Sequence, residues 1–247
     1  MRYFVRLSYN GARFHGWQVQ PHDNSVQEAI EKALSMVLRC TLAITGAGRT
    51  DTGVHAAMMV AHFDNDEPIQ DIEALMRSLN GLLGKDIAIH AIFPVASDAH
   101  ARFDATSRTY KYFAHLVKSP FLHDFSWKCP PMLDFELMNE AAAHLMNFSD
   151  FTSFSKLHTD AKTNICHITH ARWQQEGEQW VFTITADRFL RNMVRAIVGT
   201  LVNVGMHKIT VRQFCEIIEK KDRCSAGQSM PAHALFLWSI TYPFPLM

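Results

Sequence analysis

Arg2-Tyr3-Phe4-Val5-Arg6-Leu7-Ser8-Tyr9 sets Tyr3, Val5, Leu7 and Tyr9 on one side of the chain and Arg2, Phe4, Arg6 and Ser8 on the other. That period of two predicts a half-buried strand. A turn follows at Asn10-Gly11, and Ser25-Val26-Gln27-Glu28 has the spacing of a capping box. Val26, Ala29, Ile30, Ala33, Leu34 and Val37 then form the apolar face of the helix that Ser25 opens. A short strand is expected near 42–46 and a longer one over 56–63. A helix is expected over 68–83, started by Pro68 and stopped by Gly84. A strand over 87–94 completes the order β-α-β-β-α-β.

The rest of the chain repeats that order. Strands are expected over 107–118, 164–175, 179–187 and 235–242. Helices are expected from Asp134 to about 147, over 189–204 up to Gly205, and over 211–220, where Thr210 and Gln213 have capping-box spacing. The fold class read from this is α+β: two tandem ferredoxin-like or RRM-like halves with mainly antiparallel sheets flanking a cleft. The halves are placed at 1–103 and 104–247, because the periodicity lapses near 98–106.

Composition bounds the classes of protein. Of the 247 residues, 48% are hydrophobic and 19% charged, as in a soluble protein with a sizeable core. The alternating start has no apolar core of a signal peptide, and no apolar run reaches the ~18 residues of a membrane span. A cytoplasmic protein is expected. The five cysteines are scattered and form no Cys-x-x-Cys pair, which predicts free thiols. Net charge is zero, yet charge is segregated: residues 186–224 hold eight Lys or Arg against four acids, and residues 64–75 hold five acids and no base. One face can therefore be basic in a neutral chain.

Between two expected strands lies Ile44-Thr45-Gly46-Ala47-Gly48-Arg49-Thr50-Asp51-Thr52-Gly53-Val54-His55. Its glycines permit positive φ and close approach of another group to the backbone. Gly48 and Gly53 have P-loop spacing, but Val54-His55 stands where Lys-Ser/Thr is required. Gly46-x-Gly48 fails as a dinucleotide fingerprint, since Asp51 takes the place of the third glycine. Asp51-Thr52-Gly53 matches an aspartic-protease tripeptide, but that chemistry needs two such carboxylates and the chain has one.

Gly48-Arg49-Thr50-Asp51-Thr52-Gly53-Val54-His55-Ala56 resembles the signature of the tRNA pseudouridine synthase A family. Ser8-Tyr9-Asn10-Gly11 through Phe14, Gly16, Trp17 and Gln18 resembles its N-terminal motif, with Asn10 for the usual Asp. Ser107-Arg108-Thr109-Tyr110-Lys111-Tyr112 resembles its Ser-Arg-x-Tyr-x-Tyr strand, and Phe189 to Gly199 its Phe-x-x-x-Met-Val-Arg-x-Ile-Val-Gly helix. Pro231-Ala232-His233-Ala234-Leu235 departs from the family's Pro-Ala-x-Gly-Leu. The resemblance covers essentially the whole chain. It implies isomerisation of uridine to pseudouridine in the anticodon stem-loop of tRNA, at tRNA positions 38–40, by a homodimer that uses no cofactor and no metal. It implies Asp51 as the catalytic residue, acting either covalently or through a glycal-type intermediate.

The resemblance assigns Arg49 to insertion beside a flipped target base; the alternative is that Arg49 pairs with Asp51. It assigns Tyr110 to stacking on the uracil, where alternation alone favours core packing for Tyr110 and Tyr112. It assigns Arg195 as a substrate-binding residue and a basic partner of Asp51. Arg188, Arg191 and Arg195 are expected on one helical stripe at i, i+3 and i+7, the first two as tRNA backbone contacts. His55 is expected to hold its loop. His167 and His170, three apart in an expected strand, fall on opposite faces and do not suit a metal site. The competing function class is a non-catalytic RRM-like RNA-binding protein, which would need no Arg-Thr-Asp turn and for which the chain lacks an RNP1-type run.

Overall fold

The computed structural model describes residues 1–156 and 163–246, divided into two compact units. Unit 1 comprises Met1–Thr106 and Leu237–Met247, and unit 2 comprises Ser107–Phe236. Both are α+β, with mainly antiparallel pairing.

Unit 1 runs β1 (Arg2–Tyr9), α1 (Val26–Leu38), β2 (Thr45–Gly46), β3 (His55–Asp64), α2 (Ile72–Leu82) and β4 (Ile87–Val95). β1 lies between β3 and β4, antiparallel to both, and β2 is a short addition to β3. The expected face of β1 is buried, but Phe4, on the other face, is buried as well. Phe93, Tyr242 and Phe244 cover its ring, so the C-terminal segment gives the sheet a second core that alternation in β1 cannot report.

The caps explain the helix boundaries. Ser25 Oγ accepts from the Glu28 N–H at the start of α1, while the Glu28 carboxylate pairs with Lys32, so the expected box is half made. α2 starts at Ile72 and not at Pro68. The Asp71 side chain accepts from the Ala74 N–H and sets the first turn four residues later than the proline suggested. Gly84, at φ +64, follows the helix end as expected.

Unit 2 runs β5 (Ser107–His115), β6 (Trp127–Lys128), α3 (Phe135–Ala143), β7 (Ile168–Glu176), β8 (Gln179–Ala186), α4 (Met193–Gly205) and α5 (Val211–Glu219). A last strand, β9 (Leu235–Thr241), belongs to unit 1 from Leu237 on and lies beside β3. β8 lies between β5 and β7, antiparallel to both. α4 is buried nearly all round, which fits its apolar sequence. Gly205 lets α3 come close: a Cβ there would lie 2.5 Å from Met138 Sδ. The Thr210–Gln213 capping box at α5 is complete.

α4 begins four residues later than its apolar pattern suggested. Asn192 sits in the left-handed region at φ 66, and residues 187–192 are an irregular lead-in. Among the described residues, no helix is long and apolar enough to cross a membrane. The five cysteines are free.

Candidate active site

In unit 1, the segment from Gly46 to Val54 leaves β2 and returns into β3. The Ala47 N–H donates to the Val60 carbonyl, which holds the segment to the sheet at its start. Beyond that point, support comes from the N-terminal motif. Tyr9 Oη and Thr50 Oγ1 share a hydrogen bond at 2.8 Å. The Trp17 N–H donates to the Thr50 carbonyl and the Gly53 N–H donates to the Phe14 carbonyl. His55 Nδ1 accepts from the Gly11 N–H.

These contacts explain the glycines. A Cβ on Gly11 would lie 2.0 Å from the Val54 carbonyl oxygen, and one on Gly16 would lie 2.4 Å from that of Thr50. Gly46 faces the buried Trp17 ring, 2.5 Å from where its Cβ would stand. The Val54 N–H closes a tight turn onto the Asp51 carbonyl, and Gly53 takes the positive φ that the turn requires.

The backbone from Thr50 to His55 is therefore pinned by these contacts. Asp51 is half-buried and Arg49 is exposed. Among the described residues Arg49 makes no ion pair.

In unit 2, Tyr110 and Tyr112 share a face of β5, opposite Ile184 and Phe182 of β8. Tyr112 is fully buried. Among the described residues its hydroxyl has no hydrogen-bond partner, and burial pushes its pKa well above the ordinary tyrosine range. Tyr110 is half-exposed, and its ring meets Phe189 edge-on at 5.0 Å. Alternation could not tell these two tyrosines apart; the difference is what covers each ring.

Arg195 lies in the first turn of α4, and its Nε donates to the Met230 carbonyl at 2.6 Å. Arg188 and Arg191 precede the helix, so the expected stripe of three arginines on one helical face does not exist. The left-handed Asn192 breaks it. The lead-in is held by Asp187, whose Oδ1 accepts the N–H groups of both Arg188 and His167. Arg188 is half-exposed and Arg191 is exposed.

His167 lies outside β7 and His170 within it, so the argument from two faces of one strand does not apply. Among the described residues no group of three or more His, Cys, Asp or Glu could hold a metal ion. Ala234 falls in a short 3-10 turn and is not among the residues at positive φ, so that position needs no glycine here. The sequence pattern gave no sign of the pins Tyr9–Thr50 and Arg195–Met230. Each joins segments far apart in the chain.

The sequence model described as tRNA pseudouridine synthase matches residues 7–104 and 141–243, which takes in the Asp51 turn, Arg188, Arg191 and Arg195. The chain belongs to the tRNA pseudouridine synthase family. Within it, the relatives named tRNA pseudouridine synthase A align along nearly the full length. That of Parabacteroides distasonis is 61% identical, over 98% of this chain and 96% of its own. That of Bacteroides thetaiotaomicron is 56% identical over 98% and 91%. That of Bacillus subtilis is 37% identical over 98% and 99%.

Proposed function

We propose that this chain isomerises uridine to pseudouridine in tRNA, with Asp51 as its catalytic residue. The observation that carries the proposal is the pinned turn at Asp51 in a chain of this family. A set of hydrogen bonds fixes the turn, and Asp51 within it is half-buried. A non-catalytic RNA-binding protein has no use for such a turn, and family membership speaks against that reading.

The reaction breaks the bond from ribose C1′ to uracil N1 and forms one from C1′ to C5. N1 gains a proton, C5 loses one, and no electron changes hands. It therefore asks for a carboxylate, a way to hold the base, and exclusion of competing hydrolysis. Asp51 supplies the carboxylate. A paired uridine must leave the helix to be reached, and Arg49, exposed and without an ion pair among the described residues, suits insertion in its place better than pairing with Asp51. Tyr110 offers an aromatic surface on which a base stacks, worth about 1–3 kcal/mol per base. Arg195 is the basic substrate-binding residue, and Arg188 and Arg191 contact the tRNA backbone.

We read the two units as ferredoxin-like halves. The order β4-β1-β3 with α1 and α2 between the strands of unit 1 supports this, as does the strand-helix-strand-strand-helix run of unit 2. The enzyme works in the cytoplasm on the anticodon stem-loop, as a homodimer, with one tRNA touching both subunits. Light scattering at micromolar concentration should give twice the 28.1 kDa chain mass, and a monomer would refute the dimer. Mapping pseudouridine in tRNA from cells with and without this gene tests the substrate. Loss confined to the anticodon arm is expected, and an unchanged map would overturn the proposal.

A further inference from the structure

Gly227-Gln228-Ser229-Met230 lies along the first two turns of α4 as a strap. The Met230 N–H donates to the Arg195 carbonyl at 3.1 Å, and Arg195 Nε donates back to the Met230 carbonyl at 2.6 Å. The Gly227 N–H donates to Thr200 Oγ1, whose hydroxyl donates to the Ala196 carbonyl within the helix. Two glycines allow this approach. A Cβ on Gly199 would stand 1.9 Å from the Gln228 carbonyl oxygen, and one on Gly227 would stand 2.8 Å from the Gly199 carbonyl.

The strap is also fastened from outside. Arg223, in a 3-10 turn, sends Nη1 to the Gly227 carbonyl at 3.1 Å and Nη2 to Ser229 Oγ at 3.0 Å. Asn192 Nδ2 donates to the same Ser229 Oγ at 2.5 Å from its left-handed position ahead of α4. A rigid guanidinium fork suits two acceptors at fixed spacing, which an ammonium cannot match.

We propose that Arg223 and Ser229 are positioning residues for Arg195: they clamp the 227–230 strap to α4, and the strap's Met230 carbonyl fixes the direction of the Arg195 guanidinium. The proposal rests on Arg195 acting as a substrate-binding residue. A freed Arg195 samples other rotamers, and misplacement by about 1 Å at an active site can cost on the order of a hundredfold in rate.

The test is a double-mutant cycle on single-turnover pseudouridine formation, with tRNA affinity and thermal unfolding measured alongside. Arg223→Ala should slow turnover about tenfold or more, with tRNA affinity within about threefold of wild type, because the clamp acts on geometry at the reacting base. Ser229→Ala should act in the same direction and provides the cycle if Arg223→Ala does not fold. Arg223→Lys should not restore the rate. Arg195→Ala should be slow, and Arg195→Ala with Arg223→Ala should be no slower. Wild-type turnover in Arg223→Ala and Ser229→Ala, or losses that add in full to that of Arg195→Ala, would overturn the proposal. Wild-type turnover in Arg195→Ala itself would instead remove the role given to Arg195, and this inference with it.

Discussion

The Gly11 backbone N–H donates to His55 Nδ1 at 3.0 Å, joining the first turn of the chain to the strand that leaves the Asp51 loop. A backbone N–H can only donate, so Nδ1 accepts and neutral His55 carries its proton on Nε2. The imidazole is fully buried, which makes it a pin between two backbone segments and a poor candidate for carrying protons to solvent. His55→Ala leaves the Gly11 donor unsatisfied in the interior, at a cost of about 1–3 kcal/mol. The expected result is a lower urea midpoint together with reduced turnover. Normal stability in His55→Ala would contradict the pin.

Gly16 and Gly81 make a matched pair of substitutions. Gly16 has φ +88 and lies against the Thr50 carbonyl, so Gly16→Ala must displace the chain next to Asp51. Turnover should fall by about tenfold or more, given how steeply rate depends on placement at a site, while the protein still folds. Gly81 lies exposed in α2 with nothing within 4 Å of a Cβ. Gly81→Ala should leave turnover unchanged and raise stability by up to about 1 kcal/mol, the helix propensity difference. Thermal unfolding and initial rates on the two proteins check both statements. Equal effects would show that neither position acts through the contacts described.

His62 gives stability a pH dependence. Its Nδ1 accepts from the Ala101 N–H, and the ring lies edge-on to His100 at 4.6 Å. Burial, with His100 and Arg2 adding to it, pushes its pKa down to about 4 from 6.5. The unfolded chain therefore takes up this proton first as pH falls. The contribution is fully present above about pH 6.5 and is lost as pH drops toward 4. Urea midpoints measured from pH 7.5 down to 5 should decline in wild type and decline less in His62→Gln. Identical slopes would rule out His62 as the source.

Much of this was legible in the sequence, for identifiable reasons. β1, β3, β4 and β8 were found because apolar residues recur along them on a short period. The helices that Ser25, Asp134 and Thr210 begin were found because those side chains cap in the local way their spacing implies. The Asp51 turn was legible because its glycines and charged residues are contiguous. What failed depends on backbone conformation or distant contact. Nothing in the apolar run of 189–204 reveals that Asn192 turns left-handed, so the apolar pattern alone places the start of α4, and with it the arginine stripe, too early. Pro68 suggested a helix start, but Asp71 caps it. Alternation puts Phe4 on the polar face, and the aromatic segment that buries it lies more than two hundred residues away.

Arg188 and Arg191 no longer share a helix face with Arg195, yet both precede α4 in a segment that Asp187 anchors, and neither is buried. As phosphate contacts they should give tRNA affinity a steep salt dependence through counterion release. Arg188→Glu with Arg191→Glu should weaken binding at low salt and flatten the slope of log affinity against log salt. Affinity in wild type that does not change between low and moderate salt would contradict a basic tRNA-binding face.

If Asp51 remakes the glycosidic bond at C5, the hydrogen on C5 reports on it directly. Unmodified tRNA carrying tritium at C5 of uridine should release label into water in proportion to enzyme and time. Asp51→Asn, folded and still able to bind tRNA, should release none above about a thousandth of the wild-type rate, which corresponds to roughly 4 kcal/mol of barrier. Wild-type protein that binds such tRNA and releases no tritium, or an Asp51→Asn protein, free of deamidation, that releases it at the wild-type rate, would contradict the account.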